Sequence, residues 1–268
     1  MMHPLLPVLL SSILAGYLAT VVINRMLLCW ALDKSIFAAP GRCAWCGGAL
    51  PWQAVLPGLE LIGRRVVPAC GHAMPFWRVG TLLALVGGSA GLALLYRGGS
   101  WLELSQTLLL FYVLLPLTVI DLRTLEVDAR IVVAGIALRF ACLALLAPQQ
   151  MVAMIGGMLM GAGLFAMVGF IYQALRERSG LGEGDAAVMG LLGAFVGWQG
   201  VAPVAGLAAV GGVLIGAPVL LVLRRSLASP LAFVPFLAAS GLAVRLSQTL
   251  WQEQWWAWVS SLSLGYFD

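Results

Sequence analysis

The chain has 268 residues, 62% of them hydrophobic and 10% charged, with five cysteines and a formal net charge of +4. A mean hydropathy of +0.99 excludes an ordinary soluble domain and places the chain in a bilayer. The basic excess would suit a nucleic-acid partner only if it were gathered on a soluble face, and its distribution along the chain excludes that.

A helix needs about 20 apolar residues to cross roughly 30 Å of hydrocarbon. Runs of that kind predict eight membrane helices, near 5–28, 77–96, 101–120, 131–147, 151–175, 186–199, 201–223 and 231–251. The first is too long and too polar at its end for a removable signal peptide, and no small-residue cleavage site follows it. Only Ala147–Gln150 and Trp198–Gly200 separate two of the pairs, as tight helical hairpins require. The expected fold is therefore all-α, a polytopic membrane helix bundle with a small cytoplasmic cysteine-bearing loop domain. Four parts follow in order: a first membrane helix at 1–30, the cysteine loop at 31–76, a membrane core at 77–251 and a Trp-rich tail at 252–268.

Orientation comes from the basic residues. With the N-terminus outside, Arg25, Lys34, Arg42, Arg64, Arg65, Arg78, Arg123, Arg130, Arg176, Arg178, Arg224 and Arg225 all fall on the cytoplasmic side. The outer connections hold Arg97, while Arg139 and Arg245 fall within predicted spans. That asymmetry is the positive-inside signature, so the basic excess reports topology. The tail, with Trp251, Trp255, Trp256 and Trp258, then lies outside, where indole rings favour the interface.

Two acids stand out against this background. Asp121 directly follows the apolar run Phe111–Ile120, and Asp185 opens directly into Ala186–Trp198. An ionisable residue beside hydrocarbon is a functional candidate by default. Both are expected at the cytoplasmic edge, at similar depth, on different helices. Two carboxylates close together in a low-dielectric site cannot both ionise. One then serves as a general base on water and the other, protonated, as a general acid toward a carbonyl or leaving amine. Gly182 and Gly184 would let the backbone turn tightly ahead of Asp185 and approach a substrate strand. The plainer alternative for Asp185 is a helix N-cap. Capping explains Asp121 poorly, because the helix dipole disfavours negative charge at a C-terminus. Glu126, Asp128 and Glu183 are expected to be solvated or paired with Arg123, Arg130, Arg176 or Arg178.

The residues around these acids form a pattern. The segment I-D-L-R-T-L-E-V-D at Ile120–Asp128 resembles the I-D-x6-D segment of the bacterial type IV prepilin peptidases, which are GxGD aspartyl proteases. G-E-G-D at Gly182–Asp185, with the helix after it, resembles their G-x-G-D segment. P-L-A-F-V-P-F-L-A from Pro230 resembles their late P-F-x-P-F-L-A stretch, and Gly16–Arg25 resembles G-S-F-x-N-V-V-I-x-R. C-A-W-C-G from Cys43 resembles the first half of their cytoplasmic cysteine motif. The resemblance runs in order over residues 16–240. It implies a membrane endopeptidase that cuts the short basic leader of type IV prepilins or type II secretion pseudopilins after a glycine, on the cytoplasmic side of the inner membrane. By motif position Asp121 and Asp185 would be catalytic, with Gly182, Gly184 and Asp128 in support. Many members also methylate the new N-terminus with S-adenosylmethionine.

The resemblance is incomplete in the N-terminal half. The family's cysteine loop carries two C-x-x-C pairs, suited to tetrahedral zinc. Here Cys43 and Cys46 form the first, but Val67 stands where the second pair would begin, leaving Cys70. His72 is the candidate fourth ligand, giving Cys3His. Cytoplasmic thiols are expected to be reduced, so a structural disulfide is not expected, and Cys29 and Cys142 read as packing residues. The stretch Met74–Gly80 lacks the glutamate of the family's R-Y-P-x-V-E, and Tyr17, Ala19 and Thr20 depart from the N-terminal motif. In the peptidase half Val127 replaces the usual proline before Asp128. The departures concentrate in the half that the resemblance ties to methylation, so peptidase activity is expected and methyl transfer is not.

Two other classes make different expectations. A proton-coupled transporter would place acids near mid-membrane and show symmetry between halves, which this sequence does not. A non-catalytic pilin assembly factor would bind through the cysteine loop and tolerate Asp121→Asn and Asp185→Asn.

Overall fold

The chain divides into two compact units, Met1–Tyr96 and Arg97–Asp268. The computed structural model describes residues 101–176, 182–222 and 231–263, all in the second. The spans expected at 5–28 and 77–96, the cysteine loop with Cys43, Cys46, Cys70 and His72, and Cys29 lie outside the described residues. Among the described residues the structure is all-helical, with no strand.

Six α-helices build it. They are α1 (Trp101–Thr124), α2 (Ala129–Leu146), α3 (Met151–Arg176), α4 (Glu183–Gly211), α5 (Ala217–Val222) and α6 (Val234–Ser263). A 3-10 turn at Pro148–Gln150 joins α2 to α3, where a tight connection is predicted. A π-helical turn at Gly212–Gly216 joins α4 to α5. Among the described residues, four stretches are long and apolar enough to cross a membrane: Leu102–Leu122, Ala129–Leu146, Pro148–Leu175 and Glu183–Val222. The protein is thus a multi-pass membrane protein.

The fourth stretch has 40 residues, about 60 Å if straight, twice the hydrocarbon thickness. It does not run straight. Gly197 takes φ 72° and ψ 174°, a conformation open to glycine and closed to L side chains, and the helix breaks there. The predicted hairpin turn at Trp198–Gly200 therefore begins at Gly197, because the residue able to make the turn decides its place. The break frees the Val196 carbonyl, and Gln248 on α6 donates to it from Nε2 at 2.8 Å.

The first half of α4 is the core. Every residue from Val188 to Val196 is buried, and a helix apolar on all sides has to be enclosed on all sides. α3 lies closest. Its Gly157 and the Gly193 of α4 pack backbone to backbone, each where a Cβ would strike the other's carbonyl, the close approach that small residues permit in membranes. α2 and α6 pack against other sides of α4. The outer surface carries exposed Leu145, Val152, Phe170, Leu175 and Val222, as a lipid-facing surface requires.

α6 differs from expectation at its far end. The apolar span is predicted to stop at residue 251, whereas the helix continues to Ser263. Between Leu242 and Ser263 there is neither glycine nor proline, so nothing interrupts the helix where the apolar run thins. The Trp-rich segment to Ser263 is therefore helix.

Candidate active site

Asp121 sits in the last turn of α1, which runs on to Thr124. The helix then ends on Leu125, whose φ of 57° is left-handed and whose N–H donates to the Asp121 carbonyl at 2.9 Å. This is a glycine-type C-cap made by a leucine, at a cost of roughly 1–2 kcal/mol. It turns the chain into Glu126–Asp128, where Asp128 starts α2.

The Asp121 side chain is buried, with 4% of its surface exposed. Its Oδ2 accepts a hydrogen bond at 2.9 Å from the backbone N–H of Val234, the first residue of α6. A charge-assisted bond of this kind contributes about 1.5–3 kcal/mol. The late proline-containing segment thus meets the first aspartate directly.

Asp185 is half-buried and lies three residues inside the start of α4. The N-cap is Gly182, which corrects the reading of Asp185 as the cap itself. The Asp185 carboxylate reaches back and accepts from the Gly182 N–H at 3.3 Å, in the manner of the acidic partner of a capping box. Asp185 lies near enough for its charge to act on Asp121. Gly184 brings the two segments together: a Cβ there would lie 2.7 Å from Cβ of Val127. The glycine before Asp185 is therefore seated on the connection that follows Asp121.

The other acids behave differently. Asp128 caps α2, accepting from the Arg130 N–H at 2.9 Å and pairing with Arg130 Nε at 3.2 Å. Its carboxylate is engaged there, as a support for the loop. Glu126 and Glu183 are exposed. Among the described residues no three His, Cys, Asp or Glu side chains gather as metal ligands.

Two features go beyond what the sequence reading assigned. One is the Val234 amide, a backbone donor. The other is a polar layer deeper in the bundle. Arg139 on α2 is 4% exposed, with its guanidinium carbon 4.9 Å from the centre of the Phe195 ring. Arg245 on α6 donates from Nη2 to Oε1 of the buried Gln106 on α1 at 3.2 Å. The sequence marks the two arginines as mid-span charges without assigning them, and Gln106 goes unremarked in an apolar run.

With this geometry in view, the likeness to known proteins falls into place. The type IV leader peptidase family matches residues 108–220, a stretch that holds both aspartates. The prepilin leader peptidase/N-methyltransferase of Myxococcus xanthus is 32% identical over 220 residues, covering 79% of this chain and 62% of the relative. The leader peptidase HopD of Escherichia coli is 40% identical over 91 residues, 33% of this chain and 57% of HopD. The chain thus spans less than two thirds of the length of these two. It covers 72% of the prepilin leader peptidase/N-methyltransferase of Dickeya chrysanthemi, with 30% identity over 221 residues. No solved structure matches. On these matches and the motifs that carry the two aspartates, the chain belongs to the type IV leader peptidase family.

Proposed function

We propose that this chain is a membrane aspartyl endopeptidase that removes the leader of type IV prepilins or type II secretion pseudopilins. The observation that carries the reading is the pair Asp121 and Asp185, each at a helix end and each held by a backbone amide, on segments that meet through Gly184 and Val127. The pair shares one proton. The ionised member takes a proton from water as that water attacks the scissile carbonyl, and the protonated member delivers its own to the carbonyl oxygen. Collapse of the tetrahedral intermediate breaks the C–N bond: one of its hydroxyls returns a proton to the ionised member as the carbonyl re-forms, the protonated member gives its own to the leaving amine, and the pair again holds one proton. Only the two carboxylates and water are needed.

The basic residues support an inner-membrane placement with the N-terminus outside and the aspartates facing the cytoplasm, and the family resemblance supports cleavage after a glycine. Co-expression with a prepilin tests the reading: the wild type yields the shorter product on a gel, and Asp121→Asn or Asp185→Asn yields precursor alone. Cleavage by either variant at the wild-type level would sink it.

The reading stops at proteolysis. Two of the relatives described above carry N-methyltransferase in their names, while this chain departs from the family pattern at Tyr17, Ala19, Thr20, Val67 and Met74–Gly80. The expected product has an unmethylated amine, and mass spectrometry showing full methylation by this enzyme alone, with S-adenosylmethionine, would overturn that. Three thiols and an imidazole, from Cys43, Cys46, Cys70 and His72, are donors of the kind structural zinc takes. Metal analysis of the purified chain is expected to find about one zinc per chain, lost in Cys43→Ser.

A further inference from the structure

The start of α6 is built to present one amide. Of its first backbone groups, Pro235 has no N–H, and the N–H groups of Phe236 and Leu237 both donate to the Phe233 carbonyl, at 3.0 and 3.2 Å. That leaves the Val234 N–H, and it is spent on Asp121 at 2.9 Å in a buried setting. α6 has 30 residues, so the partial positive charge of a long helix terminus adds to the single donor. The terminus is also held in place. Phe233 packs tilted against Phe165 of α3, with ring centres 6.4 Å apart. Its ring edge lies against Gly212 of the π-helical turn, where a Cβ would come within 3.2 Å. π-helical turns of this sort recur at functional sites.

We infer that the Val234 backbone N–H is a positioning group for Asp121, and that Pro235 and the Phe233 packing exist to aim it. The inference rests on the peptidase reading above. The amide fixes one carboxylate oxygen and with it the side-chain rotamer, leaving Oδ1 to act on water or to share the proton with Asp185. Val234 itself touches no substrate. It acts through Asp121, so its loss should lower turnover and leave substrate binding alone.

The donor can be deleted without disturbing the helix. Val234→Pro removes the N–H at the first helical position, where proline is preferred. The following Pro235 already restricts residue 234, and the extended backbone that a residue before proline requires suits Phe233 at the cap. Val234→Ala keeps the N–H and changes the side chain.

Purified full-length chain in detergent is assayed with a prepilin substrate, giving kcat and KM for the wild type, V234P, V234A and D121N. The expected result is a fall in kcat of about 10- to 100-fold for V234P, with KM within about twofold and cleavage restored in V234A. If V234P does not accumulate in membranes, an amide-to-ester exchange at Val234 removes the same N–H without a ring and is read in the same assay. An inactive D121N beside a V234P or ester variant that matches V234A overturns the inference and leaves the peptidase reading standing. A rise in KM with kcat unchanged also overturns it, since that marks a substrate contact. A D121N that cleaves like wild type overturns both.

Discussion

At the aspartate end of the bundle, each acid takes a hydrogen bond from a backbone amide at the start of a helix. Deeper in, Arg139 and Arg245 lie ten and eleven residues along α2 and α6, about 15–17 Å from the starts of those helices, and there side chains do the work. Arg139 faces the Phe195 ring, and Arg245 leans on Gln106. Among the described residues, Nε and Nη1 of Arg139, Nε of Arg245 and Nε2 of Gln106 are buried with no hydrogen-bond partner. The difference is one of rigidity. A backbone amide at a packed helix end has no rotamer to lose, so it can hold a reacting group to within fractions of an ångström. A layer of long side chains with spare donors holds nothing so closely. The first layer has the construction of a site for chemistry, and the second that of a tolerated buried charge.

The largest test of this contrast is at the acids. Asp121→Asn and Asp185→Asn each remove one half of a shared-proton pair and are expected to lower cleavage by about 10²- to 10⁴-fold, while leaving thermal unfolding in detergent close to wild type. Equal losses from substitutions at Arg139 or Gln106 would break the contrast, by giving the deeper layer a part in the reaction.

Next in size is the seam that joins the two acidic segments. Gly184→Ala puts a methyl group 2.7 Å from Cβ and Cγ2 of Val127, so one segment has to move. A shift near 1 Å at a reacting group costs on the order of 10²-fold in rate, and G184A is expected to lose about that much in kcat. Val127→Ala in the same chain makes room and is expected to restore part of it. Failure of V127A to help would mean that Gly184 is needed for its backbone freedom and not for the space beside Val127.

Much of this was legible before any coordinates. Helical spans, the aspartate pair and the approach of the G-x-G-D segment all leave side-chain or hydropathy signals: long apolar runs, acids without a polar buffer, glycines ahead of a carboxylate. The pairing of Asp128 with Arg130 was likewise among the expected options. What was not legible is backbone. Pro235 is visible as a motif letter, but that it silences one amide and leaves Val234 to serve Asp121 is a property of the folded helix end. The Gly197 break was placed at residues 198–200 because hydropathy locates the polar Trp-Gln-Gly step and not the residue with positive φ. The apolar span and the helix end at different residues in α6 for a related reason. Hydropathy reports where an apolar stretch ends, whereas a helix ends where its backbone is interrupted.

In the deeper layer, stability is the readout. Gln106→Leu removes the acceptor of the Arg245 bond and leaves a buried guanidinium with less satisfaction, an expected loss of about 1–3 kcal/mol. Arg245→Met in the Q106L chain removes the guanidinium as well and should recover part of that, because the Glu103 charge also acts on Arg245. Additive losses in the double variant would show that Arg245 has further partners worth more than Gln106.

The smallest expected effect is at Arg139. Breaking a buried charge pair by removing one partner is strongly destabilising, but replacing an under-satisfied buried charge by an apolar residue of similar volume is often neutral or stabilising by about 1–4 kcal/mol. Arg139 has the ring of Phe195 on one side and, among the described residues, no acceptor for Nε or Nη1, so little is lost with the guanidinium. Arg139→Met keeps the chain length and sets a thioether over the same ring, a contact worth about 0.3–1.5 kcal/mol. That replaces part of the cation–π attraction, about 2 kcal/mol when desolvated, and abolishes the desolvation penalty. Unfolding temperature in detergent is therefore expected to be unchanged or slightly raised, with cleavage intact. A clear drop in stability would reverse the contrast between the layers: Arg139 would then be held as firmly as the aspartates are.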